Sequence, residues 1–269
     1  MSGNLETSFG DIILHHVTND LNHVYLPIHL FGLDVSITKH VIMLWIVGLF
    51  TILLAIWGTH RYRQNINATP RGLSHLFEIL MNFIKNDIVK NTIGENEGRL
   101  WTPLIATYFI FILSANLLGL IPFFEFIPGG SSTVTGNFAV TIALATITFF
   151  AVIVAGTMKH GILGYWKHMA PSNVPKPVLL ILIPIEIMGM FIRPLALTLR
   201  LGANMTAGHI GMVAIFGLPI LLHQFGVGIV STLLNTGIFF LEIIVSLVQA
   251  YVFTLLSAVF IGMAIHAEH

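Results

Sequence analysis

Apolar residues fall along this chain in long blocks separated by short polar segments. The first block, 40–58, ends at His60-Arg61-Tyr62-Arg63, the basic and aromatic boundary expected where a helix leaves a membrane. Residues 74–91 follow another rule. Leu76, Phe77, Leu80, Phe83, Ile84 and Ile88 recur at helical spacing between His75, Glu78, Lys85, Asp87 and Lys90. That pattern predicts an amphipathic helix lying on the membrane surface or against the bundle. A second block at 100–121 closes at Pro122, and residues 123–136, rich in Gly, Ser, Thr and Pro, read as a loop. A third block covers 137–157, and Pro171, Pro175 and Pro177 mark an irregular return from it. Two further stretches, 178–222 and 227–264, are separated near His223-Gln224-Phe225-Gly226.

The last two stretches exceed what a straight crossing needs. About 36 helical residues reach about 54 Å, against about 30 Å of hydrocarbon. Such helices must tilt, bend or break, and Pro184, Pro194 and Gly202 supply places to bend. The expected fold is an all-α polytopic membrane protein. It has about five membrane helices and one amphipathic surface helix, and the last two membrane helices are long, tilted and antiparallel.

Composition agrees with the pattern. Apolar residues make up 55% of the 269 and charged residues only 9%, which excludes an ordinary soluble domain. Twelve Lys and Arg balance twelve Asp and Glu, so no global field points to nucleic acid. There is no cysteine, hence no disulfide or thiol chemistry. Residues 1–38 contain no Lys or Arg and so do not read as a signal peptide. The histidines there, His15, His16, His23 and His29, are read as scattered surface residues rather than a metal site. No cofactor, metal or nucleotide is expected.

Charge sets the expected orientation. Arg61, Arg63, Arg71, Lys85, Lys90 and Arg99 lie between the first and second spans, and Lys159, Lys167 and Lys176 lie between the third span and the hairpin. Both segments fall on one side if each span crosses once, and that side is the cytoplasm. The N-terminal segment 1–38, the 123–136 loop and the 223–226 turn then face outward. The rest, 39–269, is the membrane domain, carrying the hairpin 178–264, and the C-terminus returns inside.

The chemistry lies in that hairpin. It holds Glu186, Arg193, Arg200 and Glu242, and each ionisable group at membrane depth costs several kcal/mol unless paired or wetted. At about 100° per residue, Glu186, Arg193 and Arg200 share a stripe, Asn204 stays near Arg200, and His209 points away. Asn235, Glu242 and Gln249 share a face of the last helix. If the hairpin turns near Phe225, Arg200 lies level with Gln249 and His209 with Glu242. Two polar approaches from opposite faces, separated by a fixed cation, are the arrangement this suggests. A histidine and a carboxylate can carry protons; an arginine stays protonated, so its role is electrostatic. Blander readings stand beside this one. Arg193 could snorkel or pair locally with Glu186, His209 could be a core histidine, and Asn204, Asn235 and Gln249 could be interhelical glue.

The run from Leu197 to His209, with Arg200-Leu201, Asn204-Met205 and Gly208, resembles the signature of subunit a of F-type ATP synthases. Asn116 to Pro122, Pro184 to Glu186 and Gln249 to Phe253 are similar to further motifs of that family. The resemblance covers the chain from about residue 40 onward. It implies that Arg200 is the essential stator arginine. It places Asn204, His209, Glu242 and Gln249 in the outer proton half-channel and Glu186 near the inner one, with Asn116, Arg193 and Asn235 as further candidates. Many bacterial members carry the acid and the imidazole of the His209 and Glu242 positions exchanged, a swap that preserves one of each. Many also carry an Asp shortly after the Asn116 position, which this chain lacks, so the second span contributes less to proton uptake. The implied partners are a ring of c subunits, subunit b of the peripheral stalk and membrane lipid. The implied location is a bacterial inner membrane, and the chain itself binds no nucleotide. Two other functions compete: a secondary transporter using Arg200 for an anionic substrate, which internal repeats would favour and which the sequence does not show, and a membrane scaffold.

Overall fold

A computed structural model describes residues 29–30, 33–34, 36–64, 71–121, 133–168, 176–222 and 224–266. After a two-residue antiparallel ladder, β1 (His29–Leu30) with β2 (Leu33–Asp34), all regular structure among these residues is helical. The elements are α1 (Lys39–Gln64), α2 (Leu73–Phe83), α3 (Glu95–Leu120), α4 (Phe138–His160), α5 (Ile162–His168), α6 (Lys176–Leu222) and α7 (Phe225–Ile265). Helices α1, α3, α4, α6 and α7 are long and apolar enough to cross a membrane, as the block pattern predicts. An all-α polytopic membrane protein follows, because only a helix satisfies its own backbone polar groups within one segment of a bilayer.

The long elements match the pattern closely. Helix α6 runs through Pro184 and Pro194 without a break, and α7 starts two residues before the expected block. Pro194 forfeits one backbone hydrogen bond. Its own carbonyl gains a second donor, because Thr198 Oγ1 bonds it at 3.0 Å. At 1.5 Å per residue, 47 residues reach about 70 Å, so α6 cannot cross about 30 Å of hydrocarbon upright.

The amphipathic segment behaves in two ways. Over α2 the side chains of Leu73, Leu76 and Ile79 are exposed, while Ser74 is buried. The helix then passes through a π-helical turn, Ile84–Val89, into a last α-helical turn, Lys90–Thr92. There Ile84, Ile88 and Val89 are buried. The first half thus suits a membrane surface and the second half packs against protein, so both alternatives left open by the pattern apply in turn.

The described residues cluster into two compact units, and each long helix contributes a segment to both. The first comprises residues up to Thr51 with Phe111–Val140 and Arg200–Gln249. Its apolar centre is Met43, Val47, Ala115 and Val134, packed with Leu44, Ile46, Phe111, Leu118 and Val140. Val134 belongs to a single 3-10 turn, Val134–Gly136. The sequence pattern places these residues in a loop, yet Thr133, Val134 and Thr135 are buried. Buried irregular backbone needs hydrogen-bond partners, and Thr206 Oγ1 provides one to the Gly136 carbonyl at 3.2 Å. The remainder of that loop, residues 123–132, lies outside the described residues.

The second unit comprises Ile52–Ile110, Thr141–Leu199 and the chain from Ala250. Buried hydroxyls tie three helices there. Thr148 Oγ1 donates to Tyr108 Oη at 3.2 Å and lies 3.3 Å from Ser257 Oγ. In a bilayer such contacts and close packing, rather than water exclusion, hold helices together. The end of α7 is fastened on two sides. His266 Nε2 meets the Ile93 carbonyl at 2.8 Å, and His160 Nε2 meets the Ile265 carbonyl at 3.1 Å. Tyr62 Oη donates to Glu78 Oε2 at 2.8 Å, joining the end of α1 to α2, and this bond pushes the phenol pKa up.

Glycine governs the approach at the end of α7. A Cβ on Gly262 would overlap the Thr92 carbonyl, a backbone atom that cannot rotate away. Gly262→Ala is expected to cost about 1–3 kcal/mol, the range for overpacking. Gly237→Ala, where a Cβ meets nothing within 4 Å, should be neutral or stabilising by about 0.5–1 kcal/mol. Thermal unfolding of the two purified variants in detergent checks the contrast; equal midpoints would contradict it.

Candidate functional site

Most of the polar residues singled out in the hairpin come together in the first unit. Helices α6 and α7 run antiparallel there. Asn204 Nδ2 donates to Gln249 Oε1 at 3.2 Å, Gly208 faces Glu242, and Ser231 Oγ donates to the Ile215 carbonyl. The register expected from a turn near Phe225 is shifted by about one helical turn at its inner end. Gln249 pairs with Asn204, not with Arg200. The shift leaves the amide pair satisfied and the guanidinium outside it.

Arg200 sits close to the midpoint of the apolar span Pro177–Pro219. Its side chain is exposed, and no ion pair reaches it among the described residues. Around it on the same exposed stripe, Ala203 and Ala207 are also exposed, and a Cβ on Gly211 would meet nothing within 4 Å. On the opposite side of α6, Leu197, Leu201 and Met205 are buried. The 3.6-residue period therefore turns the apolar anchors inward and leaves the cation outward.

The buried side of the hairpin holds the proton-carrying candidates. Glu242 is 4% exposed and Gln249 4%. A Cβ on Gly208 would overlap the Glu242 carboxyl, so Gly208 is what gives this carboxyl its place. Among the described residues, His209 Nε2 and Glu242 Oε2 are each buried without a hydrogen-bond partner, as are Asn235 Oδ1 and Ser246 Oγ. A native chain leaves few such groups, and here four fall in one unit, three of them on α7. Asn235, Glu242, Ser246 and Gln249 repeat at helical spacing and share a face.

Asn116 completes this side from α3. It is fully buried; its Nδ2 donates to the Ser246 carbonyl at 3.3 Å, and its Oδ1 accepts from Thr135 Oγ1 at 2.5 Å. Sequence reasoning missed Thr135 and Ser246 as parts of this site, and it had Gly208 only as a motif residue, without its contact with Glu242. The hydroxyls carry no distinctive signal among many Ser and Thr residues, and a glycine reveals its purpose only through what lies above it.

Glu186 and Arg193 belong to the second unit. Arg193 Nη2 lies 3.7 Å from Glu186 Oε1, with the side chains 35% and 47% exposed, and its guanidinium stands 5.6 Å over the Phe260 ring. The local pairing reading of these two residues therefore applies. So long and exposed an ion pair contributes little, about 0–1 kcal/mol.

Among the described residues no three metal-ligating side chains converge. His15, His16 and His23 lie outside them.

The fold and this site define a multi-pass α-helical membrane protein whose last two helices carry an outward cation and a buried polar face. Residues 41–262 match the family model described as ATP synthase A chain. The chain is 40% identical over 275 residues to ATP synthase subunit a 2 of Chlorobium luteolum, covering 98% of this chain and 78% of that protein. It is 40% identical over 249 residues to ATP synthase subunit a of Chloroherpeton thalassium, with coverages of 91% and 72%. It is 42% identical over 239 residues to the subunit of that name in Myxococcus xanthus, with coverages of 88% and 75%. The chain belongs to the ATP synthase A chain family, the family of ATP synthase subunit a.

Gly208→Ala is expected to destabilise the fold by about 1–3 kcal/mol through collision with the Glu242 carboxyl. Adding Glu242→Ala should recover most of that loss, which a double-mutant cycle on unfolding midpoints measures. Additive losses would show that the two positions do not touch.

Proposed function

We propose that this chain is the proton-conducting stator of a rotary ATP synthase, and that Arg200 separates two offset proton paths. The observation that carries the reading is Arg200 itself, an exposed guanidinium near mid-span with no acid beside it among the described residues. A permanent cation in that position calls for a negative partner supplied from outside the chain. The small residues along its stripe, Ala203, Ala207 and Gly211, leave room for another helix to come close. A ring of c subunits presenting carboxylates meets both requirements. Subunit b and lipid are the other proposed neighbours.

The outer path is assigned to Asn235, Glu242, His209, Ser246, Asn116 and Gln249, with Asn204 beside Arg200. A proton taken up by Glu242 and His209 passes to a rotor carboxylate. Neutralised, that carboxylate can turn into lipid, where its charged form would be costly. Glu186 receives the proton on the inner side, held by Arg193. Arg200 then attracts the bared carboxylate and, because it does not give up its own proton, blocks a direct leak. Each charge crossing yields about 2.3 kcal/mol per 100 mV, which drives rotation. The assigned setting is a bacterial inner membrane. There the segment 1–38 faces outward, the membrane domain 39–269 carries the hairpin 178–264, and the C-terminus is cytoplasmic.

Arg200→Ala in the assembled complex is expected to lower ATP-driven proton pumping by a factor of about 100 or more, a loss of about 2.7 kcal/mol at 1.36 kcal/mol per decade. Pumping by inverted vesicles, with assembly checked by subunit content, reads this. Pumping at the parental rate would eliminate the stator role. Glu242→Gln is expected to slow proton uptake about tenfold, and an unchanged rate would remove Glu242 from the path.

A further inference from the structure

Helix α2 lies outside the five apolar spans, yet it holds Leu73 at 54%, Leu76 at 65% and Ile79 at 55% exposure. An apolar stripe of that kind is stable at the boundary of headgroups and acyl chains. Immediately beyond it the backbone changes character. In the turn Ile84–Val89 the Lys90 amide bonds the Lys85 carbonyl, five residues back. A π-helical turn takes in about one residue more than an α-helical one. Lys85 and Lys90 therefore come to one side, where an uninterrupted α-helix would set them far apart around its axis.

The next helix adds to the same side. Lys90 Nζ lies 3.0 Å from Glu95 Oε2, and Lys85 and Arg99 stand within electrostatic reach of that same carboxylate. One exposed cation thus touches this acid, itself 64% exposed, and two more exposed cations act on it from further away. Of the other acids nearby, Glu97 is held by Lys159 at 2.7 Å, and Asp87 is exposed three residues before Lys90. Leu100, next to Arg99, is 60% exposed. The combination is a cationic cluster, Lys85, Lys90 and Arg99 against the paired Glu95 and the exposed Asp87, with exposed apolar side chains on the helices that carry it.

We propose that Lys85, Lys90 and Arg99 form a binding site for the phosphate headgroup of an anionic phospholipid, whose acyl chains cover Leu73, Leu76, Ile79 and Leu100. Charge complementarity identifies the headgroup, and the apolar border identifies a lipid rather than a soluble phosphate. The π-helical turn is the device that assembles the site, because it sets the register between Lys85 and Lys90. Glu95 limits the affinity by competing for the same cations.

The test uses the full chain, in its assembled complex, reconstituted into phosphatidylcholine vesicles. The vesicles contain a trace of phosphatidylglycerol photoreactive at its headgroup, and labelling of peptides from residues 71–100 is read by mass spectrometry. The triple change Lys85→Gln, Lys90→Gln and Arg99→Gln should cut labelling by at least tenfold, since each cation near an anionic surface contributes about fivefold. Glu95→Gln should raise labelling, although it also breaks the ion pair with Lys90. A headgroup-photoreactive phosphatidylcholine should label all variants alike. The proposal is overturned if the triple variant labels as the parent does. It is equally overturned if Glu95→Gln lowers labelling as the triple change does, which would make the corner's folding, not its charge, the cause. It also fails if the three cations crosslink to a neighbouring subunit in place of lipid.

Discussion

An isolated cation held halfway along an apolar helix is the constraint around which the hairpin is arranged. On insertion scales a central arginine costs about 3 kcal/mol, and nothing within reach on its own helix offsets it. The surroundings reduce the cost in the ways still open. Leu197, Leu201 and Met205 turn the opposite face of α6 into protein and thereby fix the rotation of the helix. The polar neighbours are satisfied without the guanidinium: Asn204 by Gln249, Thr198 by the Pro194 carbonyl, Thr206 by the Gly136 carbonyl. With these three neighbours already partnered, α6 cannot quench Arg200 by rearranging them locally. Its charge is left for whatever approaches from outside.

The buried side shows the complementary restraint. A fully satisfied polar network is rigid and hard to alter, whereas a path for protons must accept and release them. Asn116 meets the first description, since its amide donates to the Ser246 carbonyl and accepts from Thr135. Four other buried atoms differ from it: among the described residues His209 Nε2, Asn235 Oδ1, Glu242 Oε2 and Ser246 Oγ have no hydrogen-bond partner, which leaves them open to the proposed proton traffic. Such groups weaken a fold. Gly208 shows that their placement is specific, because its missing side chain is the space that the Glu242 carboxyl fills.

Much of this was legible in the residues. The five spans follow from hydropathy because a bilayer tolerates nothing else over that length. The antiparallel pairing of α6 with α7 follows from a turn near Phe225 and a constant rise per residue. What the sequence could not show depends on contacts with no period of their own. The pairing of Gln249 with Asn204 instead of Arg200 differs from the expected register by about one turn, within the error of placing a turn by composition. The burial of Thr133 to Thr135 was hidden because a Gly, Ser and Thr-rich stretch reads as a surface loop wherever it lies. The π-helical turn at Ile84–Val89 was invisible to a rule of 3.6 residues per turn.

Arg193 and Arg200 show why residue type and spacing alone do not assign a role. The two are seven residues apart on one apolar helix. Each residue's surroundings within its own unit decide what it does. Arg193 finds a carboxylate at 3.7 Å and an aromatic ring at 5.6 Å, and two-thirds of its side chain is covered. A guanidinium so placed gains from the ring quadrupole as well as from the acid, and it has a reason to remain where it is. Arg200 has exposed alanines about it and no carboxylate paired with it among the described residues. Removing the charge of Arg193 would leave Glu186 to be solvated at a half-exposed site, a modest change. Removing the charge of Arg200 would relieve an unfavourable placement and make the isolated chain easier to accommodate in lipid. A residue whose loss should help the chain alone has to be justified by something the chain does with a partner.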